Sequence, residues 1–280
     1  METTVVGYEI GYCLNTYKDI CIMVRIASFD IGKKNLAFYV EETDTDTIIE
    51  LKKRYKSIPK KKLKRIKGRI PPEVEEILQE LYTSGKHIPR GYGVFDLREY
   101  EDNILDIHIR ANLFELLDSY EWLWDECDII CIEQQFFNPH AKARGGGANM
   151  DAIKIGECLF SWFLYNYHTF KIIEYFGAQF KTQSLGAPHR RLKMDRKKKY
   201  EVWKPLSKQD RKDWSVEKSE EIFLARAEAQ PSDKDACLEI AHMFNKAKKG
   251  NRKRREQKMD DVADCVVQLQ AFKYRKLIVN

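Results

Sequence analysis

The sequence predicts an α/β fold, and three observations point to it. The apolar run Cys21–Phe29 closes on Asp30-Ile31-Gly32, and the β-rich runs Leu36–Val40 and Thr47–Leu51 follow after polar turns, the pattern of an antiparallel meander. A continuous apolar run, Ile129-Ile130-Cys131-Ile132, closes on Glu133; a run of that length reads as a buried central strand, parallel to the first. Apolar residues at helical spacing flank that strand: Ile104, Ile107, Ala111, Leu113, Phe114 and Leu117 before it, Ile153, Ile155, Leu159, Phe160, Phe163 and Leu164 after it.

Taken in order, residues Tyr8 to Ile20 carry no assignable pattern. Asp30 ends the first strand and faces a turn made by Gly32 and Asn35. Lys52 to Arg69 is strongly basic and stops at Pro71-Pro72; a short helix over Pro72–Tyr82 and a loop over Gly85–Gly93 follow. Residues 52–93 are expected to be an insertion in the core fold. Phe136–Met150 is a loop with Lys142, Arg144 and the run Gly145-Gly146-Gly147, which lacks the lysine-serine/threonine ending of a phosphate-binding loop. Asn149 or Asp151 caps the next helix, which runs to about Tyr167. That helix is apolar on more than one face, so it is either deeply buried or shared with a second subunit. Phe170–Phe176 is a further strand, and Lys181–Lys212 a basic insertion or loop. A helix starts at Trp214 with Ser215 as N-cap, and another covers Asp235–Lys246.

The chain has 280 residues, 43% hydrophobic and 33% charged, enough for one large domain with insertions or two small ones. Its seven cysteines are irregularly spaced and several lie in apolar runs, as reduced thiols of an intracellular protein do. Cys127 and Cys131 have no second Cys/His pair at zinc-ligand spacing. No charged-then-apolar leader stands at the N-terminus, and no apolar run approaches the ~20 residues of a membrane span, so no membrane partner is expected.

The net charge of +6 is uneven. Cationic runs occur at 52–69, at 181–212 (Arg190, Arg191, Lys197 and Lys198, interleaved with Tyr200 and Trp203) and at 248–258 (Arg252, Lys253 and Arg254). Basic residues with aromatics suit a nucleic acid whose phosphates are neutralised and whose bases stack. The acidic groups are fewer and more pointed. In Asp260-Asp261-Val262-Ala263-Asp264, Asp261 and Asp264 stand at i, i+3 and Asp260 and Asp264 at i, i+4, which puts like charges side by side on a helix. A divalent metal would relieve that repulsion; aspartates favouring the positive end of a helix dipole is the plainer reading.

In their order along the chain, Asp30-Ile31-Gly32, Ile132-Glu133-Gln134-Gln135, Ser215-Val216-Glu217 and Asp261-Val262-Ala263-Asp264 resemble the RuvC-like Holliday junction resolvases, the poxvirus-type and mitochondrial branches above all. Asp210–Glu217 and Lys258–Asp264 are similar to poxvirus segments, and Ala152–Glu157 to the bacterial helix after the catalytic glutamate. The resemblance implies an RNase H-like fold: a mixed five-stranded sheet with helices on both faces, in a single domain over 1–280. It implies a homodimer that resolves four-way DNA junctions by paired symmetric nicks, inside the cell and, for a large DNA virus, where viral DNA replicates. Carried over by position, Asp30, Glu133, Asp261 and Asp264 hold two Mg²⁺ ions, for which Mn²⁺ substitutes. Asp260 exchanges with Asp261 if the helix register shifts. Lys212 falls on a catalytic lysine, with Lys218 as rival, and Phe136 on an aromatic that probes bases at the crossover. Lys142, Arg144 and the cations of the basic runs complete the DNA-binding set.

Other branched DNA and RNA–DNA hybrids are alternative substrates for the same fold. Asp30–Asn35 also looks like the first phosphate loop of actin-like ATPases and sugar kinases, but their second Asp-x-Gly loop and glycine-rich adenosine loop are missing. A non-catalytic DNA binder would explain the basic runs but not the carboxylates, which repel DNA.

Overall fold

The central strand pair is built from the two apolar runs that end in acids. In the computed structural model, which describes residues 23–65, 69–98, 105–135, 149–188, 190–192, 202–204, 206–249 and 259–280, β1 (Met23–Asp30) lies parallel to β4 (Ile129–Gln134), with Phe29 beside Ile132. β2 (Leu36–Asp44) and β3 (His87–Phe95) extend the sheet antiparallel on one side, and β5 (Ile172–Gly177) extends it parallel on the other. The order is β3-β2-β1-β4-β5, the mixed five-stranded RNase H-like sheet that was expected.

Alternation along the strands feeds two cores. Val24 and Ile26 of β1 and Ile129 and Cys131 of β4 face one; Ala27, Phe29, Ile130 and Ile132 face the other. The first core is covered by α1 (Thr45–Ser57), α2 (Pro72–Thr83), α7 (Lys208–Ala229), α8 (Lys234–Lys249), α9 (Met259–Phe272) and the π-helical Lys273–Val279. The second is covered by α3 (Ile107–Ser119), α4 (Glu121–Asp125) and α5 (Met150–Tyr167), with Trp124 and Phe163 each within 5.4 Å of the Phe29 ring. Short α6 (Phe180–Ser184) follows β5, and β6 (Arg190–Leu192) pairs with β7 (Val202–Lys204) in a separate ribbon. No helix among the described residues is long and apolar enough to cross a membrane.

Three local expectations are corrected. Thr47–Leu51 is helix, not strand: Asp44 caps it through Asp46 N at 3.0 Å, and Thr45, Ile48 and Leu51 turn one buried face to the core at helical spacing. Gly85–Gly93 is not all loop, because the edge strand β3 begins at His87; residues 87–93 of the expected insertion therefore belong to the sheet. Its glycines hide the strand pattern, yet the packing needs one of them. A Cβ on Gly93 would stand 2.4 Å from the Phe95 ring, which stacks on Phe38. Ser215 is not an N-cap: α7 begins a full turn and more earlier, capped by Ser207 through Asp210 N at 3.2 Å, and Ser215 is buried inside it. Of the two expected caps of α5, Asn149 is the one used: it accepts from Ala152 N at 3.2 Å.

Candidate active site

The parallel pairing of β1 and β4 brings Asp30 and Glu133 to the same end of the sheet, where strand ends in open α/β folds present their groups. Two further elements reach that end. α9 is apolar on nearly every side and so lies buried across the sheet, with Gln268 donating to the Phe29 carbonyl at 3.0 Å. Its first two turns carry Asp261 and Asp264. α7 lies beside α9 and contributes Arg211 and Lys212. Asp30, Glu133, Asp261 and Asp264 thus line one cleft of about 410 Å³ with Asn35, Gln135, Asn149, Lys181, Arg211 and Lys212.

Two lysines stand between these acids. Lys181 of α6, 5% exposed, places its ammonium 2.7 Å from Glu133 Oε1 and 3.2 Å from Asp30 Oδ1. Lys212 donates to Asp261 Oδ1 at 2.8 Å and to Asp260 Oδ2 at 3.2 Å. Gln135 Nε2 donates to Glu133 Oε2. On the rim, Lys33 pairs with Asp151 at 2.7 Å and ties the β1–β2 turn to the start of α5.

Crowding of acids shows in their protonation. Burial and the neighbouring Asp30 charge push Glu133 well above the usual carboxylate range, against the pull of Lys181. Burial acts on Asp30 too, but the Lys181 ammonium and the interaction with Glu133 outweigh it and hold Asp30 low. Burial raises Asp264 to about 6 despite Lys181, and it raises Asp261 despite Lys212. Lys181 is held charged well above its ordinary range: burial opposes this, and the Asp30, Glu133 and Asp264 charges overcome it.

The donor chemistry of the cleft suits a divalent metal. All four acids present oxygens, which Mg²⁺ and Mn²⁺ prefer, and Asp261 Oδ2 is buried with no hydrogen-bond partner. Among the described residues no three carboxylate, imidazole or thiolate groups are gathered to metal-binding distance, and the ammonium groups of Lys181 and Lys212 sit between the acids instead.

Of the other site candidates, Asp260 reaches Lys212 but does not line the cleft. Lys218 does not line it either; its ammonium pairs with Glu221 at 2.7 Å and lies 5.0 Å from the centre of the Tyr82 ring. Arg190 and Arg191 lie in β6. Phe136, Lys142, Arg144, Lys197, Lys198, Arg252, Lys253 and Arg254 lie outside the described residues. Lys181 is absorbed into a basic run in the sequence. The signal that singles it out is position: it comes four residues after a strand parallel to the one that carries Glu133, at the same sheet end.

No family model matches the chain. Among curated proteins, Uncharacterized protein 97L of Invertebrate iridescent virus 3 is 28% identical over 219 residues, covering 72% of this chain and 86% of that protein. Uncharacterized protein 170L of Invertebrate iridescent virus 6 is 26% identical over 251 residues, covering 90% and 89%. Among solved structures, the fowlpox virus Holliday junction resolvase is 12% identical with a TM-score of 0.43, covering 90% of this chain and 99% of that one. RuvC of T. thermophilus, solved with a Holliday junction substrate, is 11% identical with a TM-score of 0.38 over 91% and 96%. The yeast mitochondrial Holliday junction resolvase is 10% identical with a TM-score of 0.42 over 97% and 88%.

Proposed function

We propose that the chain is a metal-dependent endonuclease of the RuvC-like resolvase group that cuts four-way DNA junctions. The observation that carries this reading is the convergence of Asp30, Glu133, Asp261 and Asp264, from three separate stretches of sequence, on one cleft that also holds Lys181, Arg211 and Lys212. Carboxylates so crowded destabilise a protein unless a cation is their partner, and a cleft rimmed by positive groups favours a polyanion. The chain is read as one domain over 1–280, with the basic stretch at 52–86 added to the core sheet; the stretch 181–212, expected as an insertion, is in part core, since α6 and the start of α7 bring Lys181, Arg211 and Lys212 to the cleft.

Asp30, Glu133, Asp261 and Asp264 would hold two Mg²⁺ ions, with Mn²⁺ as a substitute. Bound there, the ions would lower the pKa of the attacking water and neutralise the leaving 3′ oxygen. The chain's own groups do the rest. Burial and the Asp30 charge raise Glu133 while Lys181 holds Asp30 low, so uptake of a cation by this pair would favour release of a proton. Lys212, on the helix beside Asp261, stabilises charge on the scissile phosphate. Arg211 orients that phosphate, a planar fork being suited to two of its oxygens.

A homodimer suits the cut of two opposed strands. It is supported by the apolar groups at the end of α5, where Leu164 is 47%, Tyr165 85% and Phe170 75% exposed. The viral relatives support a role where viral DNA is replicated.

The test is a synthetic immobile four-way junction with two strands labelled, incubated with and without Mg²⁺. Paired nicks at symmetric positions that require Mg²⁺ are expected. Cleavage of an RNA–DNA hybrid with the junction left intact would replace the proposed substrate, and no cleavage of any nucleic acid would end the nuclease reading.

A further inference from the structure

The basic stretch after α1 has no part in the cleft, yet the fold delivers it there. β2 ends at Asp44, opposite Met23 and so at the far end of the sheet from Asp30. The 13 residues of α1, about 20 Å at 1.5 Å per residue, then lead the chain away from that strand end, with the Tyr55 ring meeting Tyr274 of the C-terminal helix. Beyond α1 the chain makes a single 3₁₀ turn, Lys60–Leu63, between Pro59 and Lys64. Its apolar side is fixed: Ile58, Leu63 and Ile70 pack on the first core. Its other side carries exposed Lys60, Lys61 and Lys64.

Two contacts set this ridge against the site. The Arg65 guanidinium donates to the carbonyl of Gln183, two residues along α6 from Lys181. Ile70 fills the space over Gly186, where a Cβ would meet Ile70 Cδ1 at 2.8 Å and where φ is +91°. Three acids of the neighbouring α2 are engaged, one of them by a lysine of the turn itself, while Glu75 is exposed. Glu73 pairs with Lys62, and Glu76 and Glu80 pair with Arg54. Among the described residues no carboxylate pairs with Lys56, Lys60, Lys61 or Lys64, and Lys52 and Lys56 stand one helical turn apart as like charges.

We propose that Lys60, Lys61 and Lys64 form a second contact for the DNA backbone, holding phosphates of the arm that leaves the cleft past α6. This rests on the reading of the cleft as a nuclease site. Spacing is compatible with it: a 3₁₀ rise of about 2 Å per residue over Lys60–Leu63 and one extended step of about 3.3 Å to Lys64 span about 9 Å, the scale of two neighbouring phosphates of one strand. Cations of this kind grip a backbone without reading bases, so the contact serves any sequence.

The test compares the wild-type protein with a Lys60→Ala/Lys61→Ala/Lys64→Ala variant by fluorescence anisotropy on a labelled four-way junction, in EDTA over a range of salt. The slope of log affinity against log salt is expected to shrink by about 2 to 3, since each phosphate contact contributes about 0.9. Affinity at the lowest salt is expected to fall at least tenfold. A Lys→Arg triple is expected to restore both, and Lys86→Ala, at the far end of the sheet, to change neither. Single Lys64→Glu gives the same comparison should the triple fold poorly. An unchanged slope in folded alanine and glutamate variants overturns the proposal, and points to a protein as the partner of the ridge if affinity for an acidic peptide falls instead. Junction cleavage in Mg²⁺ by the wild type is run in parallel. A slope that depends on the ridge without any cleavage supports the contact and removes the nuclease reading; cleavage with no ridge effect removes the contact alone.

Discussion

Two groups of buried charge among the described residues are built on opposite plans. Glu41, in β2, is fully buried and saturated. It accepts from Tyr39 at 2.7 Å, from both Arg226 nitrogens at 2.7 and 3.2 Å, from Lys273 at 2.6 Å, and from Gln270 and Thr43. His87 beside it is pushed down to about 4 by burial and by the Lys273 and Arg226 charges, and so stays neutral. The unpartnered atom there is an amide oxygen of Gln270, not a charge. In the cleft at Asp30, by contrast, acids face one another, Glu133 and Asp264 are driven toward protonation, and a carboxylate oxygen of Asp261 has no partner. The first group ties β2, α7 and the C-terminal helix together. The second leaves electrostatic need unmet where a cation and a phosphate would meet it. Burial alone does not distinguish the two groups; saturation does.

The largest break in this contrast is Asp30→Asn. Cleavage is expected to fall about 10³-fold or more, roughly 4 kcal/mol of transition-state stabilisation, with junction binding and melting temperature nearly unchanged. Timed cleavage and anisotropy on the same junction check it. Glu41→Gln should do the reverse. Leaving Arg226 and Lys273 without their anion costs about 3–5 kcal/mol, and melting should fall by roughly 10 °C while cleavage at low temperature persists. The charge partners hold Glu41 well below its ordinary range against burial, so its contribution is fully present above that range and is lost as pH falls through its lowered value. Melting of the two proteins should therefore converge in acid.

Asp264→Asn sharpens the contrast from the other side. Its carboxyl is raised to about 6 by burial, so ionisation disfavours the folded state as pH rises from about 4 through 6. Without divalent metal, the asparagine variant should be more stable than wild type above pH 6, by at most about 3 kcal/mol, and equal to it below pH 4. Added Mg²⁺ should stabilise the wild type more than the variant, as thermal melts would show. Tyr165→Glu is the smallest expected effect: fold and metal response stay, and sedimentation shows a weaker dimer.

The regions also differ in how far they could be read from sequence. Asp30 and Glu133 end unmistakable apolar runs, and Asp261 and Asp264 repeat at helical spacing, so both pairs stand out locally. Lys181 does not, because its role arises from the parallel pairing of β4 and β5, a contact between distant stretches. Glu41 is hidden for the same reason: it reads as one polar residue in the alternation of an edge-proximal strand, and its partners lie 185 and 232 positions away. The strand read at Thr47–Leu51 failed because β-branched residues outweighed a helical spacing that only the sheet beneath makes decisive.

The most direct measurement is calorimetric titration of Mn²⁺ into the wild-type chain and into an Asp30→Asn/Asp264→Asn variant at pH 7.5. Two ions per chain in the wild type, with proton release, and their loss in the folded variant are predicted. No binding to the wild type, or equal binding to both, would contradict the assignment of the acidic cleft as a metal site.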